Sequence, residues 1–179
     1  MMRLLLPGVA LSLAMIACGS ATAQSRWVDE GKLGVSAHDM KLGGEHEEPG
    51  ADIKGEVLFT SPDLLTAIAR PRPHLGVSVN TAGATNYAYI GLTWTGEFLE
   101  RAFASAALGG AIHDGELNAD KLHRKQLGSR VLFHEYVELG YRLTPIVNVS
   151  LFLDHMSNAN LARHNAGLTD LGMRVGYKF

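Results

Sequence analysis

The 179 residues fit one domain, and a formal net charge of −2 leaves no basic footprint of the kind that nucleic acid requires. The single cysteine, Cys18, excludes a disulfide framework. Beyond Ala23 no apolar run reaches the ~18 residues that a membrane-crossing helix needs.

The chain opens with Met1-Met2-Arg3, an apolar run from Leu4 to Cys18, and Ala21-Thr22-Ala23. That order is a charged region, a hydrophobic region and an A-x-A cleavage site. Residues 1–23 are therefore expected to be a signal peptide, cleaved after Ala23, with residues 24–179 as the exported domain. Met15–Cys18 only faintly resembles a lipoprotein box, because its first position is poor.

Alternating stretches then follow one another. Strands are expected at Leu33–Met40, Ala51–Ser61, His74–Thr81 and Thr85–Thr95, then at Arg101–His113, Gly128–Leu143, Val147–Asn158 and Leu168–Phe179. Between them lie a polar loop at Lys41–Gly50, a proline-rich break at Pro62–Pro73 with a helical turn near Leu64–Ala69, and a mixed-charge loop at Asp114–Leu127. His46, among Glu45, Glu47 and Glu48, sits in a solvated loop without convincing metal-ligand spacing. No metal and no organic cofactor is expected. Glu56, Arg130, Glu138, Arg142 and Arg174 are expected to pair inside the fold.

Eight alternating strands in an exported chain predict an all-β fold, an eight-stranded antiparallel transmembrane β-barrel. The aromatic C-terminus at Phe179 fits an outer-membrane barrel. With the N-terminus periplasmic, strand seven runs outward. Val147, Val149, Leu151 and Leu153 share one parity on it, and His155 and Ser157 continue that parity. A base and a hydroxyl would then lie side by side on the lipid-facing surface. A serine needs such a base to act as a nucleophile. The bland alternative is an interfacial pair that finds water near headgroups.

The sequence HMSN at His155–Asn158, followed by NAGLTDLGMRVGYKF at Asn165–Phe179, resembles the lipid A 3-O-deacylases, the PagL family. GSRVLFHEYVELGYRL at Gly128–Leu143 resembles the strand before it. The resemblance implies an outer-membrane esterase acting on lipid A of lipopolysaccharide in the outer leaflet. It implies Ser157 as nucleophile, His155 as base and Asn158 as an oxyanion donor, with Asn165 a second candidate. The family's carboxylate position falls on Thr169, which carries no charge. Two other acids are open: Asp170, if a bulge turns it outward, and Glu135, which hairpin pairing sets opposite His155. A homodimer is also among the expectations. Two rival readings are a non-enzymatic structural or adhesive membrane barrel and a soluble periplasmic ligand-binding barrel.

Overall fold

A computed structural model describes residues 27–40, 48–118 and 123–179. The expected signal peptide, His46 and part of the first loop lie outside the described residues. Eight strands pair in chain order and close on themselves: β1 (Val28–Ala37), β2 (Ala51–Phe59), β3 (Arg72–Asn80), β4 (Tyr87–Phe98), β5 (Ala102–His113), β6 (Val131–Arg142), β7 (Val147–Ser157) and β8 (Leu168–Lys178). Every pair is antiparallel, and β8 returns to β1. Closure leaves no sheet edge, which a bilayer demands because lipid satisfies no backbone group.

The alternation determines what each face meets. Leu33, Val35, Ile53, Leu75, Val77, Val137, Leu151, Met173 and Val175 are exposed on the outer wall. Only lipid makes so much exposed apolar surface stable, so the fold is the expected transmembrane barrel. The eleven residues of β7, rising ~3.3 Å each at a tilt of ~40°, climb ~25 Å, which matches the usual apolar band. The short turns at 99–101 and 143–146 mark the periplasmic end. Of the described residues, 38–40, 48–50, 81–86, 114–118, 123–130 and 158–167 form the opposite, extracellular end.

The lumen is filled, not open. Lys54 contacts the Tyr87 hydroxyl and the carboxylates of Asp154 and Asp170. Arg174 bonds Glu138 at 2.8 Å and Glu56 at 3.2 Å. Lys32 reaches Glu138 at 2.7 Å. These buried charges are paired, as burial requires. Tyr87, Tyr89, His134 and Tyr136 pack beside them.

Three expectations shift. Strand one begins at Val28, five residues earlier than the sequence implies, because Glu30 and Lys32 read as polar loop but point into the lumen and pair there. Arg130 and Arg142 do not join the central cluster. Arg130 donates to the carbonyls of His113 and Gly115 at the extracellular end, and Arg142 pairs Glu97 at the periplasmic rim. The helical turn expected after strand two is a 3-10 helix, η1, at Asp63–Ile68.

A candidate active site on the lipid-facing wall

His155 and Ser157 end β7 on its outward face, half-buried among lipid-facing neighbours. They lie near the outer boundary of the apolar band. Beside His155, β8 presents Thr169 as its direct cross-strand neighbour. The two side chains bond, His155 Nδ1 to Thr169 Oγ1, at 2.7 Å. Across the other ladder stands Glu135 of β6, also half-buried and facing outward. His155 is thus flanked on its own face by a hydroxyl and a carboxylate. If Thr169 accepts from Nδ1–H, the basic nitrogen is Nε2, the one available to a serine.

Asp170 does not belong to this group. No bulge interrupts the β7–β8 register, so Asp170 keeps the opposite parity and is wholly buried in the lumen. It pairs with Lys54 at 2.9 Å, not with Arg174, and accepts from the backbone N–H of Asp39 at 3.0 Å. The expectation that it could serve as the acid is corrected by strand parity alone.

Asn158 is likewise turned inward, beneath the loop. Its Nδ2 donates to the carbonyls of Leu127 at 2.9 Å and His164 at 2.5 Å, which occupies both amide hydrogens. Its backbone N–H donates to Asn165 Oδ1 at 2.9 Å. The side chain therefore clamps two loops together and offers no donor to the lipid side. Asn165 Nδ2 gives one hydrogen to Asn160 Oδ1 at 3.2 Å and keeps a second. Of the two asparagines, Asn165 is the one with a donor to spare.

Two features of the site were not legible in the sequence. Gly167 sits at φ +59° against the imidazole, where an added Cβ would meet His155 Cε1 at 2.9 Å. An apolar groove of about 310 Å³ also opens beside Ser157, lined by Gly109, Gly110, Val131, Phe133 and Leu161 among others. Phe133 pairs with Ser157, and Gly110 with Phe133, so the groove continues the serine's own row around the wall. Gly110, facing outward without a side chain, makes the dent. Gly109 faces inward against backbone, where a Cβ would come within 2.1 Å of the Ile90 carbonyl oxygen.

The extracellular loops hold the wall from inside. Glu48 is fully buried and accepts from the N–H groups of Thr85 at 3.0 Å and Lys125 at 2.9 Å, with His38 Nε2 at 3.1 Å. Burial alone would raise the Glu48 pKa, but these bonds outweigh it and hold the group at about 2. Burial would lower His38, yet Asp52, Glu48 and Asp170 raise it to about 9. Lys125 Nζ joins Asp39 at 2.6 Å and the Gly167 carbonyl at 2.9 Å. The Met40 N–H reaches the Thr169 carbonyl at 2.6 Å. The loop network thus ends on the two β8-side residues that touch His155.

A closed barrel with a base and a hydroxyl on its outer face, next to an apolar groove, has the parts of a lipid-directed hydrolase. Residues 20–178 match the family model "Lipid A 3-O-deacylase (PagL)", and the chain belongs to that family. Lipid A deacylase PagL of Bordetella bronchiseptica is 33% identical over 86 residues, covering 48% of this chain and 44% of the relative. The aligned part is thus less than half of that relative's length. The crystal structure of the outer membrane enzyme PagL superposes with a TM-score of 0.61 at 15% identity, over 84% of this chain and 99% of that one. The N-terminal barrel of Pseudomonas aeruginosa OprF gives 0.57 at 13% identity, over 87% and 100%. At these identities the structural likenesses concern the fold alone. The expected fold class and family are both borne out.

Proposed function

We propose that this chain is an outer-membrane esterase that removes the 3-O-linked acyl chain of lipid A, with Ser157 as nucleophile and His155 as general base. The observation that carries the reading is the His155–Thr169 bond at 2.7 Å on the lipid-facing wall. It orients an imidazole whose neighbour, two residues on, is a serine. The family name supplies the substrate class.

Ser157 Oγ attacks the ester carbonyl carbon while its proton passes to His155 Nε2. The tetrahedral intermediate collapses, the bond to the sugar oxygen breaks, and that oxygen takes the proton back from His155. Water then attacks the acyl-serine carbonyl carbon and gives a proton to His155; the bond to Ser157 Oγ breaks, Oγ takes that proton back, and a free fatty acid leaves. Asn165 Nδ2 is the candidate oxyanion donor, a role worth roughly 3 kcal/mol where it is aimed at the developing charge. The acyl chain lies in the groove beside Phe133 and Gly110. Lipid A enters sideways from the outer leaflet, and residues 1–23 serve as the export signal.

Thr169, which orients without charge, leaves the imidazolium to Glu135. No step uses a metal. The test is Ser157→Ala expressed in cells that make lipopolysaccharide, followed by mass spectrometry of lipid A. Loss of one hydroxyacyl chain with the native protein, and its retention with the variant, is expected. Unchanged deacylation in the variant rejects Ser157. No deacylation by either protein favours a non-enzymatic barrel, the reading that the missing carboxylate at position 169 supports.

A further inference from the structure

The connection between β2 and β3 differs from the other periplasmic turns. Those close in a few residues, as short periplasmic turns do. This one carries η1, and none of the η1 residues is buried. Leu64 is 80% exposed and Ile68 48%. A 3-10 helix repeats every ~3 residues, so Asp63 and Thr66 form one stripe, Leu64 and Ala67 a second, and Leu65 and Ile68 a third. One stripe is polar and two are apolar. The polar stripe is closed on itself: Thr66 Oγ1 donates to the Asp63 carbonyl at 2.7 Å, and Arg70 reaches the Asp63 carboxylate at 3.1 Å.

The helix is not loose. Trp94 lies on the outward face of β4, and its Nε1 donates to the Ile68 carbonyl at 2.8 Å. Arg72, where β3 begins, pairs with Thr93. The segment therefore leaves the sheet at the level of Trp94 and is tied to the outside of the wall, not beneath the lumen. From that level down to the periplasmic rim, Phe98, Tyr141, Tyr177 and Phe179 are exposed. Aromatic side chains in such a belt mark a membrane–water interface.

We propose that η1 is an interfacial anchor that lies on the outer wall and inserts Leu64 and Ile68 into the phospholipid leaflet at the periplasmic end. It is tied to Trp94 on the lipid-facing wall, so the occupant is the same membrane. Apolar stripes point into the acyl boundary, and the Asp63–Thr66–Arg70 side stays in water, as interfacial helices arrange themselves. The anchor sets the depth of the barrel. That depth in turn holds Ser157, on the order of 25 Å away along the wall, at the outer boundary.

The test uses the full chain with Cys18→Ser and one nitroxide-labelled cysteine at a time: Leu64→Cys, Thr66→Cys or Ile68→Cys. The protein is placed in vesicles of phosphatidylethanolamine and phosphatidylglycerol, and heat-dependent gel mobility verifies folding. Labels at 64 and 68 are expected to collide mainly with oxygen, which concentrates in lipid. The label at 66 is expected to collide mainly with a water-soluble nickel chelate. Adding Trp94→Phe is expected to return position 64 to water. Equal nickel access at all three positions overturns the proposal. So does shielding of 64 and 68 from both reagents, which would mean packing against protein. A label at 64 that stays in lipid without Trp94 overturns the tether.

Discussion

Thr169→Val is the sharpest test of the site. Valine keeps the volume and the β-branched shape and removes only the hydroxyl bonded to His155 Nδ1 at 2.7 Å. A neutral hydrogen bond contributes about 1 kcal/mol net. The mispositioned ring and the wrong tautomer add to that, so a loss of roughly 1–2 kcal/mol is expected, or about 5- to 30-fold in rate. The loss should fall on kcat, because the groove proposed for the acyl chain does not include residue 169. Stability in urea should stay nearly constant, since the position is outward and half-buried. Fatty-acid release from purified lipopolysaccharide in mixed micelles, followed by mass spectrometry, gives the rate. Thr169→Glu should raise it, because charge-assisted bonds are roughly twice as strong as neutral ones. Glu135→Gln should lower it at least as much as Thr169→Val. If Thr169→Val keeps its rate within twofold, the bond does not orient a catalytic base, and the mechanism built on it is refuted.

Other changes test the surroundings. Gly167→Ala places a methyl 2.9 Å from His155 Cε1 at a φ of +59°. The backbone strain costs about 1–2 kcal/mol and should lower the unfolding midpoint, while displacement of the imidazole should lower activity in the protein that remains folded. Gly110→Ala should be tolerated, because its Cβ finds ordinary contact at 3.5 Å from the Leu132 carbonyl oxygen. Gly110→Leu fills the groove and should raise KM for long acyl chains while leaving short esters unaffected. Lys54→Met strips the cation from Asp154 and Asp170 and should destabilise the barrel by on the order of 3–5 kcal/mol in urea titrations. The Glu48–His38 pair gives opposite pH limbs. Glu48, lowered to about 2, contributes stability above its unfolded value of 4.5 and loses it as pH falls towards 2. His38, raised to about 9, contributes below 6.5 and loses its contribution as pH rises through 9. Protease sensitivity of the extracellular loops should therefore be lowest between about pH 5 and 7, and Glu48→Gln should remove the acid limb.

Much was legible from alternation. Val147–Ser157 placed His155 and Ser157 on one outward face, and Glu135 opposite His155 followed from a hairpin counted through Thr144-Pro145. Strand ends were less legible where charges point inward. Glu30 and Lys32 look like loop residues until the lumen supplies Arg72 and Glu138. The family resemblance puts an oxyanion donor at Asn158 but does not record where its amide hydrogens go. Those depend on Leu127 and His164, from two different loops.

The sequence by itself determined the barrel, its facing and the shared outward face of His155 and Ser157, because a period of two turns directly into two solvents. Only the tertiary structure decided the partners. Asp170 went to Lys54, Thr169 took the histidine's Nδ1, and Gly167 closed on the ring. The physical reason is that these contacts join strands and loops whose relative height is fixed only when the sheet closes on itself, and no local pattern records that height.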